Sequence, residues 1–302
     1  LIRHRNERPS APDRVVVLGA TGFVASDLLA HLDDLEFKAL ALSSSAYDLR
    51  EPDTAEALRS VLRPGDALVF VSALTPDRGR DVGTLTANLT MGQTVCNALD
   101  KEVAQVVYVS SDAVYADGHG LLSELSPCDP SSFHGLMHLA REKMLSQTLK
   151  DRATPLLLVR PSLLFGARDS HNGYGPNRFI RSAIADRRIT LFGEGEERRD
   201  HVYVRDLSRL TGLALMHRTE GVLNVASGVS ASFREFARRV AERVGPGVEV
   251  VSVPRQTPVT HRHFDVTARV KAFPGFAFTT VDAALDNILA ELPLPAVARG
   301  AR

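Results

Sequence analysis

The chain has 302 residues, 44% of them hydrophobic and 24% charged, enough apolar material for one large core or two adjoining ones. Its 36 basic and 36 acidic residues cancel, so bulk charge gives no reason to expect nucleic acid or membrane as a partner. Two cysteines, Cys96 and Cys128, are too few for a disulfide framework, and no apolar run approaches the roughly 20 residues of a membrane span; a soluble cytoplasmic protein is expected.

The opening segment Leu1–Arg14 is polar and Arg-rich, with no apolar stretch behind it. It does not resemble a secretory signal, and residues 1–12 are expected to form a flexible tail. Apolar runs of strand length follow at Val15–Leu18, Phe37–Leu42, Ala67–Val71, Val106–Val109 and Leu156–Val159. Helical spacing fills the intervals at Asp27–His31, Thr54–Leu62, Val82–Leu99 and Leu136–Lys150. Continuous apolar strands alternating with helices predict an α/β fold: a doubly wound parallel sheet, covered on both faces, with its ligand at the carboxyl ends of the strands.

After Phe165 the texture changes. Gly166–Asn177 carries Gly, Pro, Asn and His, the composition of a binding loop. A helix is predicted from Ser232, with Glu235 completing a capping box and Phe233, Phe236, Val240 and Val244 on its buried face. Val248–Val253 reads as one more strand. Val281–Leu292 reads as a last amphipathic helix, with Val281, Ala284, Leu285, Ile288 and Leu292 on one face.

Gly19-Ala20-Thr21-Gly22-Phe23-Val24-Ala25 directly follows the first strand and opens a helix. Gly19 permits a sharp turn. Gly22 lets backbone N–H groups approach a pyrophosphate at the helix N-terminus, and the small Ala25 allows close packing of helix on strand. In that strand–turn–helix context the pattern predicts a dinucleotide site (Rossmann fold). The expected division is 13–165, together with about 198–228, as the dinucleotide-binding domain, and 166–197 with 229–300 as a smaller α/β substrate domain. The second strand runs into Ser43-Ser44-Ser45, with no carboxylate for a ribose 2′-hydroxyl and no arginine for a 2′-phosphate. Either NAD or NADP fits, and the absence of a repelling carboxylate favours NADP slightly.

From about Val15 to Leu292 the chain resembles the extended short-chain dehydrogenases, the NAD(P)-dependent nucleotide-sugar epimerase, dehydratase and reductase family. Asp48-Leu49 resembles the pair that flanks adenine there, and Ser72-Ala73 sits where the strand beside the cofactor ends. Val109-Ser110-Ser111-Asp112-Ala113-Val114-Tyr115 is similar to the family's fourth strand, so the resemblance makes Ser111 the catalytic hydroxyl, with Asp112 beside the sugar. Asn88 resembles the helix asparagine that supports the site. Arg160-Pro161-Ser162-Leu163-Leu164-Phe165-Gly166 resembles the segment passing beneath the nicotinamide. Asn177, Arg199 and Arg262 fall where the family contacts the sugar diphosphate, a task suited to guanidinium forks. The resemblance implies a nucleoside-diphosphate sugar as substrate and hydride transfer to or from the nicotinamide. It also implies a homodimer built from the Asn88 and His134 helices. Leu85, Leu89, Val95, Leu139 and Leu145 would suit that interface, or equally packing on the chain's own sheet.

One departure matters. The family's acid/base pair is Tyr followed four residues later by Lys, and those positions hold His134 and His138. A phenol titrates near about 10 and needs help to act as a base, whereas imidazole, at about 6.5, accepts a proton at neutral pH unaided. His134 as substitute base with Ser111 as its partner is therefore self-consistent, and His138, one turn on, could donate to a ribose hydroxyl. Two alternatives stay open. The fold could bind its ligands without redox chemistry, as a sensor or scaffold, or the i, i+4 histidines could suit a metal, although no third ligand is tied to them and none is expected. Glu142 is expected to face solvent, and His261 and His263, flanking Arg262, are expected at the surface.

Overall fold

The computed structural model describes residues 2–118, 120–169 and 173–292. Its first part contains β1 (Arg3–His4), β2 (Arg14–Leu18), α1 (Phe23–Asp34), β3 (Ala39–Leu42), α2 (Thr54–Val61), β4 (Asp66–Phe70), α3 (Val82–Ala98), β5 (Gln105–Val109), β6 (Leu121–Leu122), α4 (Phe133–Thr148) and β7 (Leu156–Pro161). There follow β8 (Leu163–Phe165), α5 (Pro176–Asp186), β9 (Arg188–Phe192), β10 (Arg198–Tyr203), α6 (Val204–Met216) and β11 (Thr219–Val225). Last come β12 (Ser230–Ser232), α7 (Phe233–Val244), β13 (Glu249–Val253), β14 (His263–Phe264), α8 (Thr267–Ala272) and α9 (Val281–Glu291).

Seven strands form the main sheet in the order β1-β11-β7-β5-β4-β2-β3, parallel at every pair except the β1–β11 edge. Because strand side chains alternate between faces, each apolar run feeds two cores. Val15, Val17, Val69 and Val107 meet Leu28 and Leu32 of α1 and Leu207 and Leu210 of α6. Val16, Leu18, Leu68 and Val106 meet Leu58 of α2, Val95 of α3 and Leu145 of α4. The chain leaves β2 for β3 on one side and returns to β4 on the other. The carboxyl ends of β2 and β4 therefore flank the reversal of strand order where such sheets bind ligands.

A third core unites α5, β9, α7 and α9 through Phe179, Ile189, Phe236, Val240, Leu285 and Ile288. The capping box at the start of α7 is present: Glu235 N–H donates to Ser232 Oγ at 3.0 Å, and the Glu235 carboxylate accepts from Ser232 N–H at 2.6 Å. β10 pairs with β8 and β12 in a small sheet, while β11 completes the main one.

The expectation of a flexible tail is corrected at its start. Arg3 and His4 pair antiparallel with Glu220 and Thr219, and the His4 ring bonds Thr219 Oγ1 and the Ala272 carbonyl, both at 2.9 Å. These bonds tie the segment to the free edge of β11 and to the end of α8. Of the apolar residues considered for a dimer face, Val95 and Leu145 are fully buried against the chain's own sheet, and Leu139 packs with Val114 and Phe264. Val95 and Leu145 are thereby accounted for within the subunit, while Leu85, Leu89 and Leu139 are half-buried.

Candidate active site

Gly19 turns the chain at φ +92°, and a Cβ there would stand 2.7 Å from Ser72 Oγ at the end of β4, so the turn after β2 needs glycine both for conformation and for closeness. Gly19 N–H donates to the Leu42 carbonyl at 2.9 Å, which pins the turn to β3. Around Gly22 only the Gly19 carbonyl comes within 4 Å of where a Cβ would be, and no side chain caps α1. Thr21 and Gly22 are exposed. The result is a bare backbone cradle at a helix N-terminus, which fits a dinucleotide pyrophosphate. At the other end of the expected cofactor site, Ser43 and Ser45 bond each other at 2.7 Å and Ser44 is exposed. Leu49 is buried, and Asp48 is gripped by Arg50 at 2.5 Å, which draws its carboxyl down to about 2.

A cleft of about 670 Å³ runs from this turn across the carboxyl ends of the strands. Phe23 and Val24 open α1 at one side; Ala73, Ser111, Asp112 and Pro161 line the middle; His134 and His138 close it from α4. Helix α4 begins earlier than its spacing suggested because Ser132 caps it, accepting from Gly135 N–H at 3.2 Å, and this places His134 in the first turn. Gly135 allows the approach: a Cβ there would lie 2.1 Å from the Ala113 carbonyl, in the turn that follows Ser111. Ser111 Oγ accepts from Ala113 N–H at 3.1 Å. The His134 and His138 rings stand edge to face, 4.7 Å apart. His138 is held well below the usual imidazole range by burial, with His134 and Arg141 adding to the effect, so it is neutral.

Beneath the cleft lies a layer that sequence reasoning misjudged. Glu142 does not face solvent: it is 3% exposed and bonds Arg160 and Ser110. Asn88, expected among the catalytic groups, is buried and acts at one remove. It accepts from Leu74 N–H at 2.9 Å, donates to the Leu74 and Thr84 carbonyls at 3.0 Å, and receives Arg141 Nη2 at 3.1 Å. These bonds pin the segment after Ser72 and Ala73, and Asn88 also lines a neighbouring cavity together with His134. Ser162 entered the sequence reading only as part of the segment expected beneath the nicotinamide, with no role of its own. It is 4% exposed, lines the cleft beside Pro161, and its hydroxyl has no partner among the described residues.

The three residues expected to hold a diphosphate do not line the cleft, and all are engaged within the chain. Asn177 lies in α5, not in the loop before it, where its amide accepts from Gly166 N–H at 2.9 Å and also meets Asp169. It therefore ties α5 to Gly166 and Asp169; residues 170–172 of the expected binding loop lie outside the described residues. Arg199 pairs with Glu197 and the Thr260 carbonyl. Arg262 bonds the Asp112 carbonyl and, at 2.9 Å, Asp117. Burial raises the Asp112 carboxyl above its ordinary value, and Arg262 and Arg199 pull it back. His261 accepts from Arg198 N–H at 3.1 Å and stacks near His263.

The comparison with known families decides the assignment. Residues 15–226 match the model of the NAD dependent epimerase/dehydratase family. The chain belongs to this family. Among curated relatives in the family's range, an ADP-L-glycero-D-manno-heptose-6-epimerase of Alkalilimnicola ehrlichii is 25% identical, covering 91% of this chain and 96% of the relative. A low-salt glycan biosynthesis protein of Haloferax volcanii, Agl12, is 24% identical over 76% of this chain and 82% of its own. Among solved structures, a Thermus thermophilus UDP-glucose 4-epimerase complex with NAD superposes with TM-score 0.80 at 20% identity, covering 92% of this chain and all of the other (100%). Such likeness establishes the family's Rossmann fold for this chain.

Proposed function

We propose that this family member is an NAD(P)-dependent enzyme acting on a nucleoside-diphosphate sugar, with His134 in the role usually filled by tyrosine. The observation that carries this reading is that His134 and Ser111 line the same cleft as the start of α1, next to the bare glycine turn. When bound, the nicotinamide would supply reversible hydride transfer. The Gly19–Ala25 turn would hold its pyrophosphate, and Ser111 would hold the reacting oxygen. His134 would take the hydroxyl proton as an alcohol becomes a ketone and return it in reverse. Relatives named as epimerases of ADP- and UDP-sugars support the substrate class. For the diphosphate, Arg199 and Arg262 would exchange carboxylate or carbonyl partners for phosphate oxygens. The serines after β3 favour NADP, whereas the NAD named with the Thermus structure favours NAD. A soluble cytoplasmic homodimer completes the proposal.

A second reading, a dinucleotide-binding sensor or scaffold, draws on the missing Tyr-Lys pair and on the internally paired arginines. Release of bound dinucleotide on denaturation, identified by mass spectrometry, tests both, followed by titration with NAD(H) and NADP(H) and turnover on nucleotide sugars. Retained NAD supports an epimerase or dehydratase that regenerates its cofactor; exchangeable NADPH supports a reductase. Binding without hydride exchange to any nucleotide sugar supports the sensor. No binding at millimolar concentration overturns both.

A further inference from the structure

Tyr108, near the end of β5, is fully buried, with its ring 5.2 Å from Phe70 and its hydroxyl 2.7 Å from His138 Nδ1. The direction of that hydrogen bond follows from the third group present. Arg141 is also fully buried: its Nε donates to the Asn88 carbonyl at 2.8 Å, Nη1 to the Ser72 carbonyl at 2.8 Å and Nη2 to Asn88 Oδ1 at 3.1 Å. The same guanidinium is the nearest charged group acting on the Tyr108 phenol, whose titration burial raises. A guanidinium can only donate. If Nδ1–H donated to the phenol, the phenol proton would have no other acceptor among its hydrogen-bond partners, in a buried site that penalises unmade bonds. The phenol proton therefore goes to Nδ1, and Nε2 carries the imidazole hydrogen.

We propose that Tyr108 is a positioning residue: it fixes His138 as the Nε2–H tautomer, so that His138 presents the cleft with a neutral donor matched to a ribose-type hydroxyl. The proposal rests on the reading of the cleft as a dinucleotide site. Burial above all, then His134, whose ring lies 4.7 Å away, and Arg141 one turn further along α4, disfavour a positive charge on His138. The other charged neighbour on α4, Glu142, is already held by Arg160 and Ser110. A lysine ammonium would bring a charge to this position; the imidazole brings direction without charge, and the direction comes from β5.

The test reads the tautomer first, in ligand-free protein. Long-range proton–nitrogen spectra should show His138 with a pyridine-type Nδ1 and a pyrrole-type Nε2, unchanged between about pH 6 and 8. The opposite tautomer, or a protonated ring in that range, overturns the proposal whether or not any dinucleotide binds. The second arm is a double-mutant cycle read by NAD(P)H affinity. Tyr108→Phe should weaken binding about five- to tenfold, the scale of one hydrogen bond, and should have no further effect in a His138→Ala background. Equal losses in both backgrounds would make Tyr108 a packing residue and overturn the proposal. If the wild type binds no dinucleotide, the cofactor reading fails while the spectra still decide the tautomer.

Discussion

Glu142 and Arg160 form a two-point ion pair directly under the cleft, Nε to Oε1 at 2.9 Å and Nη2 to Oε2 at 2.6 Å, with both residues nearly inaccessible to solvent. Glu142 also receives the Ser110 hydroxyl at 2.6 Å, and Arg160 reaches the Tyr115 hydroxyl at 3.0 Å, which itself bonds Asn224. The pair thus joins α4 to the ends of β5, β7 and β11. Removing one partner strands the other charge out of water. Glu142→Ala should therefore destabilise by about 3–5 kcal/mol, whereas joint replacement of both by apolar residues of similar volume should be far milder. Chemical denaturation of the two variants checks this.

Gly135 should tolerate no side chain. Its missing Cβ faces the Ala113 carbonyl at 2.1 Å and Pro130 Cβ at 2.6 Å, so an added methyl would push the first turn of α4, and His134 with it, away from Ser111. Gly135→Ala is expected to lower stability by about 1–3 kcal/mol and to reduce turnover beyond that loss. Gly275→Ala, where nothing lies within 4 Å of the added atom, is the control and should leave both unchanged.

The main sheet was readable because buried parallel strands are apolar without interruption, as in Val15–Leu18 and Val106–Val109. The glycine turn was readable because its context, strand before and helix after, is local. Glu142 was misplaced because helical spacing alone cannot see that Arg160, eighteen residues away, arrives from β7 to pair with it. Ser162 was legible only through the segment it belongs to, since a serine after a strand has no pattern that tells whether its hydroxyl finds a partner. One partner each of Arg199 and Arg262, Thr260 and Asp117, was hidden because it is close only in space.

The unpartnered Ser162 hydroxyl gives a prediction with opposite signs in two measurements. A buried hydroxyl without a partner pays desolvation with no return, so Ser162→Ala should leave the melting temperature of the free protein unchanged or raise it. If that hydroxyl meets the ligand, the same change should weaken dinucleotide or sugar-nucleotide binding about three- to tenfold. Melting curves with and without ligand separate the two effects.

His134→Ala should lower kcat by about 10²–10⁴ while leaving dinucleotide affinity within a few fold, as expected for loss of a general base rather than a binding group. Restoring the family pair is a different matter. A lysine at 138 would place its ammonium in the buried space shared with Tyr108 and the Arg141 guanidinium. His138→Lys is therefore expected to melt well below wild type, and His134→Tyr alone to be the better-tolerated half. A double His134→Tyr, His138→Lys variant that melts like wild type would count against burial beside Tyr108 and Arg141 as a barrier to a charge at 138.

His201 is expected to set the acid limit of the third core, that of α5, β9, α7 and α9. Its ring packs 4.7 Å from Phe236 and 5.7 Å from Phe233, its Nδ1 has no hydrogen-bond partner among the described residues, and burial pushes it down to about 4. The unfolded chain, with an ordinary imidazole, binds a proton near about 6.5 while the folded chain does not. Stability from this group is thus complete above about pH 6.5 and is lost progressively as the pH falls toward 4, by up to about 3 kcal/mol. His201→Phe keeps an aromatic ring among Phe233 and Phe236 but removes the titration. Urea midpoints measured from pH 7 to pH 4.5 should fall for the wild type and fall less for the variant; parallel slopes would place the acid sensitivity elsewhere.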